Sequence, residues 1–301
     1  MEQIKADILR RAIAEAARQI IGEARSVTFN GRVYPNFGWC VIFVGSSASG
    51  KGAVLRKNLQ IDGKVVNVDH FKKAYAKMRG IPYDSSDPES TNLIHAGVKN
   101  AGWKQKVTDN LLDPETHDAR RLPNVIFDMT GRDPNNTVVD VAAQAKEAGY
   151  KVVLVWVIAN RSETLLRNLQ RPRRVPDRIL HRTYNSLAAE MPPFLKGRYA
   201  GMYLDDAWFI FNSTEGIAQP DLTGEEAKHI AVRLDKAGES GFKFPVGVEQ
   251  RLQRYLGRME ANPDRPETFL SSDEISSKYG TRRDDGSYRI DRQAVPDFYR
   301  R

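Results

Sequence analysis

The stretch GSSASGKG at positions 45–52, set directly behind the apolar run WCVIFV, constrains the fold of this chain more than any other feature. A strand, a turn of the form GxxxxGK and then a helix build a phosphate-binding loop. Successive backbone amides of such a turn, with the N-terminus of the helix behind it, point inward at phosphate oxygens, and the lysine reaches the phosphate that is transferred. Gly45, Gly50 and Lys51 fit the pattern, and both glycines allow backbone angles and close approach that a Cβ would block. The expected nucleotide cradle runs through Gly45, Ser46, Ser47, Ala48, Ser49, Gly50, Lys51, Gly52 and Ala53. One position departs: Gly52 stands where a Ser or Thr hydroxyl normally binds magnesium, so its side chain cannot hold the ion.

From residue 39 onward the runs WCVIFVG, KVVNVD, NVIFDMT, KVVLVWVIA and AWFIFN alternate with stretches long enough for crossover helices. Strands apolar on both faces belong to a parallel sheet covered by helices on each side. The expected fold is therefore α/β, a three-layer sandwich on a five-stranded, mostly parallel sheet. One helix is expected from Gly50 to about Asn58, and another from about Pro134 to Ala148, ended by Gly149. LTGEEAKHIAVRLDKAG reads as a further helix with a Thr cap.

Ahead of this core, Ile4, Ile8, Leu9, Ala12, Ala16 and Ile20 share one face of an amphipathic helix within residues 3–24. Asn30-Gly31 then gives SVTFNGRVYPN the tight turn of a hairpin. Behind the core, GESGFKFPVG reads as linker, VEQRLQRYLGRMEA as one more helix, and the rest as polar sequence with turn signals such as RDDGS. The expected organisation is an extension over 1–37, a nucleotide-binding core over 38–237 with a lid near 167–182, and an appendage over 238–301.

No apolar stretch approaches the roughly 20 residues of a membrane span, and the first residues intersperse charges where a signal peptide has an apolar centre. The reading is a soluble, unexported, cytoplasmic protein with no membrane partner. Cys40 is the only cysteine, which excludes an internal disulfide and a Cys-based metal site. With 46 Lys and Arg against 38 Asp and Glu, the formal charge is +8. Such a balance favours either a polyanionic partner or a solvated basic surface, so the placement of the arginines carries the argument.

The second strand ends VVNVDHFKK and brings Asp69 to its carboxyl edge, where ligands bind in open α/β sheets. A carboxylate there accepts the proton of an acceptor hydroxyl or helps hold the ion; the alternative is a cap for the helix that follows. The third strand ends VIFDMTGR and brings Asp128 beside Asp69 if the two strands are neighbours, with Thr130 and Arg132 in the loop behind it. Two carboxylates near the phosphate loop supply the acid groups that a loop without Ser or Thr needs, and Arg132 suits bidentate phosphate binding. The segment RNLQRPRRVPDRILHR concentrates Arg167, Arg171, Arg173, Arg174, Arg178 and Arg182 around two prolines. Its prolines stop one helix and start another, which leaves Arg171 and Arg174 on a lid loop and Arg178 and Arg182 on one helical face.

Taken together, GSSASGKG, VVNVDHFKK, VIFDMTGR followed by AKEAGYKVVLVWV, and the Arg-rich segment resemble the zeta-toxin-like P-loop kinases in order and spacing, over residues 38–215. The resemblance implies ATP as phosphate donor, Lys51 on the phosphates, Asp69 as catalytic base, Arg132 on substrate or phosphate, and an arginine among residues 171–174 closing from the lid. It departs where Asp128 and Met129 replace the Glu and Gly of the family's EGTGR. Adenylate kinases also carry GKG in this loop and hold Mg2+ through water, which implies an ion held here by Asp128 and Asp69 through water. The loop form SSASGKG is closer to the bacteriophage-encoded kinases that phosphorylate 5-hydroxymethyluracil in DNA. The expected acceptor is therefore a hydroxymethylated pyrimidine in DNA, bound around Asp69, Asp128, Thr130, Arg132 and Arg178, in the host cytoplasm if the protein is viral. UDP-N-acetylglucosamine, the zeta-toxin acceptor, is the alternative. An ATP-hydrolysing nucleic-acid switch is a third reading, and it lacks a second acid directly after Asp128 to position an attacking water.

Overall fold

The computed structural model describes residues 27–29, 32–34, 38–55, 65–83, 87–112, 124–159, 161–171, 175–212, 231–245 and 272–291. The helices expected within 3–24 and over 248–261 lie outside the described residues. Val27–Phe29 (β1) and Arg32–Tyr34 (β2) pair antiparallel with Phe29 opposite Arg32, the register of a hairpin with two residues between its strands.

All five expected strands are present: β3 (Trp39–Val44), β4 (Val65–Asn67), β5 (Val125–Met129), β6 (Lys151–Ile158) and β7 (Asp206–Phe211). They run parallel in the order β4-β5-β3-β6-β7. β3 alternates between two cores: Cys40, Ile42 and Val44 join one buried cluster, and Val41 and Phe43 join the other across the sheet. In β6 every residue after Lys151 is buried, as a central parallel strand requires. Each buried Leu, Val or Phe of this kind stabilises the fold by roughly 1.5–3 kcal/mol. Burial also pushes the Cys40 thiol well up from its ordinary value, so it packs as a small apolar side chain.

A sixth strand corrects one expectation. Ala231–Arg233 (β8) pairs antiparallel with β7, Trp208 opposite Arg233, where the sequence predicted the second half of a helix. The free edge of β7 offers unpaired backbone groups, and Arg233 Nε reaches both oxygens of Asp206 at 2.9 Å to fix the pairing. The expected linker is also part of the fold. Asp235–Lys236 (β9) and Phe242–Lys243 (β10) form a short hairpin, Phe242 is buried in the larger cluster, and the Phe244 ring stands 5.2 Å from that of Phe209.

Of the helix behind the phosphate loop, the described part is Lys51–Val54 (α1). Between β4 and β5 come Val68–Arg79 (α2), Pro88–Asn100 (α3) and Trp103–Leu112 (α4), packed through the Tyr75 and Trp103 rings 5.9 Å apart. Val139–Glu147 (α5) follows a π-helical turn at Pro134–Val138 and stops just before Gly149, whose φ is 85°, as expected. Arg161–Leu169 (α6), Asp177–Leu195 (α7) and Arg198–Tyr203 (α8) connect β6 to β7. Ser272–Tyr279 (α9) leads into a hairpin of Gly280–Arg282 (β11) and Tyr288–Ile290 (β12). Among the described residues, no helix is long and apolar enough to cross a membrane.

Candidate active site

Parallel strands end at one edge of the sheet, so the residues after β3, β4, β5, β6 and β7 converge there. The loop after β3 turns on two residues in the left-handed region, Ala48 at φ 62° and Gly50 at φ 85°. Its Ser49 amide donates to Ser46 O at 3.2 Å, and the Ala53 and Val54 amides both donate to Gly50 O, which starts α1. The first amides of a helix have no partner within it, so this geometry aims N–H groups into the concave side of the loop. Gly45 and Gly50 are required sterically: a Cβ on Gly45 would stand 2.7 Å from Val157 O, and one on Gly50 would stand 2.0 Å from Asn212 Nδ2.

Lys51 Nζ donates to Gly45 O at 2.7 Å and to Ser46 O at 3.3 Å, and lies 3.8 Å from Asp128 Oδ1. Burial holds its pKa below the ordinary lysine value; the Asp128 carboxylate pulls it back up and the Arg171 charge pushes it further down. Asp128 moves in the opposite sense. Burial raises it above the usual carboxylate range, against the pull of Lys51 and of a hydrogen bond from Asn67 Nδ2 at 2.8 Å. Both groups are short of solvation, which a phosphate with its counter-ion would supply.

β4 and β5 are neighbours, as the pairing of the two carboxylates requires, and Asn67 is the residue in register with Asp128. Asn67 also caps α2, its Oδ1 accepting from the Asp69 amide at 2.8 Å. The capping alternative for Asp69 therefore falls to Asn67, and the Asp69 side chain projects from the first turn of α2. Its Oδ1 lies 3.4 Å from Lys72 Nζ, and 44% of the side chain is exposed. Lys72 is buried between α2 and its surroundings.

Thr130 and Arg132 are exposed in the loop behind β5. Gly131 lets that loop press on β3, since a Cβ there would lie 2.8 Å from Val44 Cγ1, and Arg132 O accepts a hydrogen bond from Ser186 Oγ of α7. Arg171 is exposed beyond the end of α6, within electrostatic reach of Lys51. Arg174 lies outside the described residues, as does the side chain of Arg178; Arg182 is exposed on α7.

Sequence reasoning placed Arg167 with the Arg-rich lid segment and missed Asn212 and Glu163, which with it fix the loop. Ser49 O accepts from Asn212 Nδ2 at 2.6 Å and from Arg167 Nη1 at 3.1 Å, while Arg167 Nε donates to the buried Glu163 at 2.8 Å. Asn212 had a signal: it is the polar residue that ends the run WFIFN, at the same carboxyl edge as the other site residues. Among the described residues, no cluster of three or more His, Cys, Asp and Glu is arranged to hold a metal. Asp128 with Asp69 nevertheless fits Mg2+, which keeps several waters and takes one or two carboxylates alongside substrate phosphates.

An AAA domain family model, AAA_33, matches residues 40–191. No curated protein matches the sequence. Among solved structures, the chain is similar to the AvrRxo1-ORF1:-ORF2 crystal structure with ATP, at a TM-score of 0.54 and 15% identity, covering 84% of this chain and 71% of that one. It is similar to the native AvrRxo1-ORF1:-ORF2 complex at a TM-score of 0.53 and 15% identity, with 88% and 73% covered. The PezAT toxin-antitoxin system of Streptococcus pneumoniae matches at a TM-score of 0.46 and 12% identity, with 84% and 96% covered. At these identities, the likeness to the AvrRxo1-ORF1:-ORF2 structures is one of fold.

Proposed function

The chain belongs to the AAA domain family AAA_33, whose model covers the phosphate loop and the strands around it, and on that premise we propose that it is an ATP-dependent kinase acting on an alcohol. The observation that carries this reading is the Asp69 carboxylate, 44% exposed on the first turn of α2 and within electrostatic reach of Lys51 and Asp128. A carboxylate with that much surface in solvent can be approached by an acceptor hydroxyl while the phosphates lie on the loop.

In this reading the loop amides and Lys51 take the β- and γ-phosphates of ATP. Asp128 and Asp69 would hold Mg2+ through water, and the ion would supply neutralisation of charge on the phosphate oxygens. Asp69 accepts the proton of the acceptor hydroxyl as its oxygen bonds to the γ-phosphorus, the bridging P–O bond to ADP breaks, and the pair of electrons leaves with ADP. Arg132 and Arg171, with Arg174 from the lid, stabilise the charge on the transferred phosphoryl.

The acceptor proposed is the hydroxymethyl group of a modified pyrimidine in DNA, 5-hydroxymethyluracil. The net charge of +8 and the exposed Arg132, Arg171 and Arg182 support it, because they suit a polyanionic acceptor. A base in duplex would have to leave the stack to reach the γ-phosphate. The test is to supply γ-labelled ATP and Mg2+ with duplex DNA containing 5-hydroxymethyluracil, with unmodified DNA and with UDP-N-acetylglucosamine. Label on the modified DNA alone is the expected result. Label on the sugar nucleotide would replace the acceptor, and label released only as free phosphate would replace the kinase by a hydrolase.

A further inference from the structure

The helix–hairpin at 272–291 lies outside the residues that match the family model, yet it is packed against the nucleotide loop's own support. Ile290 of β12 is buried with Leu166 and Leu169 of α6 in a separate apolar cluster, and Tyr279 and Tyr288 pack around it. The Asp291 amide donates to Tyr279 O at 2.8 Å, which ties the end of the hairpin to the end of α9. Gly280 makes the tight junction between them: a Cβ there would stand 2.8 Å from Ser276 O and 2.9 Å from Ile290 Cδ1.

Between Leu166 and Leu169 on the same helix is Arg167. One edge of its guanidinium is held by the buried Glu163, one helical turn back, and another reaches Ser49 O in the phosphate loop. A planar fork with two fixed partners transmits the position of its helix to the second partner, which a flexible ammonium would not do. Ser49 O belongs to the peptide that leads into Gly50, the residue whose left-handed conformation aims the loop amides. A shift of α6 therefore moves the bond that sets this turn.

We propose that the C-terminal helix–hairpin is a brace for the nucleotide loop, acting through α6 and making Arg167 a positioning residue for ATP. The proposal rests on the reading of residues 45–53 as the ATP cradle. The brace acts on nucleotide affinity and leaves the acceptor end, Asp69 and α2, untouched. It also gives a physical reason for the cluster: Ile290, with Tyr279 and Tyr288 around it, buries Leu166 and Leu169 on either side of Arg167.

The experiment is a double-mutant cycle on the full chain, reading ATP affinity by calorimetry and the KM for ATP against kcat in phosphotransfer. Arg167→Ala removes one charged hydrogen bond to Ser49 O, expected to weaken ATP binding about tenfold. Ile290→Ala should weaken it several-fold, with kcat at saturating ATP retained. The double variant should be no weaker than Arg167→Ala alone, because the brace has nothing left to hold. Arg167→Lys keeps the charge and loses the fork, so it should recover little of the affinity. Circular dichroism and melting establish that each variant keeps its core, and Tyr288→Ala, at the edge of the same cluster, replaces Ile290→Ala if that variant does not fold.

Full affinity in folded Ile290→Ala and Tyr288→Ala, or effects that multiply in the double variant, would overturn the brace while leaving the ATP cradle standing. Failure of the unmodified protein to bind ATP would instead overturn the cradle and the brace with it.

Discussion

Ser49 O, in the phosphate loop, accepts from the side chains of Arg167 and Asn212, whereas Asp69, at the proposed acceptor end, is approached by Lys72 at 3.4 Å and is 44% exposed. The phosphate end is held at every step: Gly45 and Gly50 have no space for a Cβ, Lys51 bonds two carbonyls, and Asn212 presses on the turn. The acceptor end has exposed Arg132, Arg171 and Thr130 on loops and one carboxylate on a first helical turn. A triphosphate presents the same oxygens to every enzyme that uses it, so a rigid cradle serves it. An acceptor differs from one enzyme to the next, and loops over a rigid scaffold are where such differences are accommodated.

Substitutions at the two ends should therefore separate in what they change. The largest effect is expected for Gly50→Ala, whose Cβ would collide with Asn212 Nδ2 at 2.0 Å at a φ of 85°. Displacing Asn212 and straining the turn should weaken ATP binding about a hundredfold or more, read by titration. The same substitution should lower the melting temperature by about 2–4 °C for each kcal/mol lost. Asn212→Ala, which removes one of the two donors to Ser49 O, should weaken ATP binding about tenfold and leave the acceptor KM unchanged. If it changed acceptor KM instead, the division between the two ends would fail.

At the acceptor end, Lys72→Met should lower kcat by about threefold to tenfold with ATP affinity unchanged, a modest effect because its partner Asp69 is so exposed. A pH profile gives the smallest signal. Phosphate binding favours the charged form of Lys51, and burial holds its pKa below the ordinary lysine value. ATP affinity should accordingly fall on the alkaline side before an ordinary lysine would titrate, and that limb should vanish in Lys51→Met, whose affinity is lower throughout.

The sheet was legible because its strands are short apolar runs buried on both faces, and because Gly45, Gly50 and Lys51 stand at the spacing a phosphate loop demands. The sequence left the approach of Asp69 to Asp128 conditional on their strands being neighbours, and β4 and β5 do pair, with Asn67 opposite Asp128. Ala231–Arg233 was misread because HIAVRLD satisfies a helical and an alternating period equally, and only the open edge of β7 decides between them. Phe242 and Phe244 looked like linker because two aromatics among glycines have no periodicity, although Phe242 is buried in the larger cluster and Phe244 packs on Phe209. Asn67 and Asn212 escaped for a different reason. A single polar residue that holds a backbone group has no pattern in one dimension, and its partner is 163 positions away in the case of Asn212 and Ser49.

The central claim is that Asp69 serves the acceptor while the loop around Lys51 serves the nucleotide. Its most direct test is Asp69→Asn, which keeps size and hydrogen-bonding capacity but cannot take the proton. ATP affinity and single-turnover phosphotransfer should be measured side by side in this variant. The account predicts transfer slowed by about 10²–10⁴-fold with ATP affinity within a factor of about two of the unmodified protein. Transfer at the normal rate would contradict it.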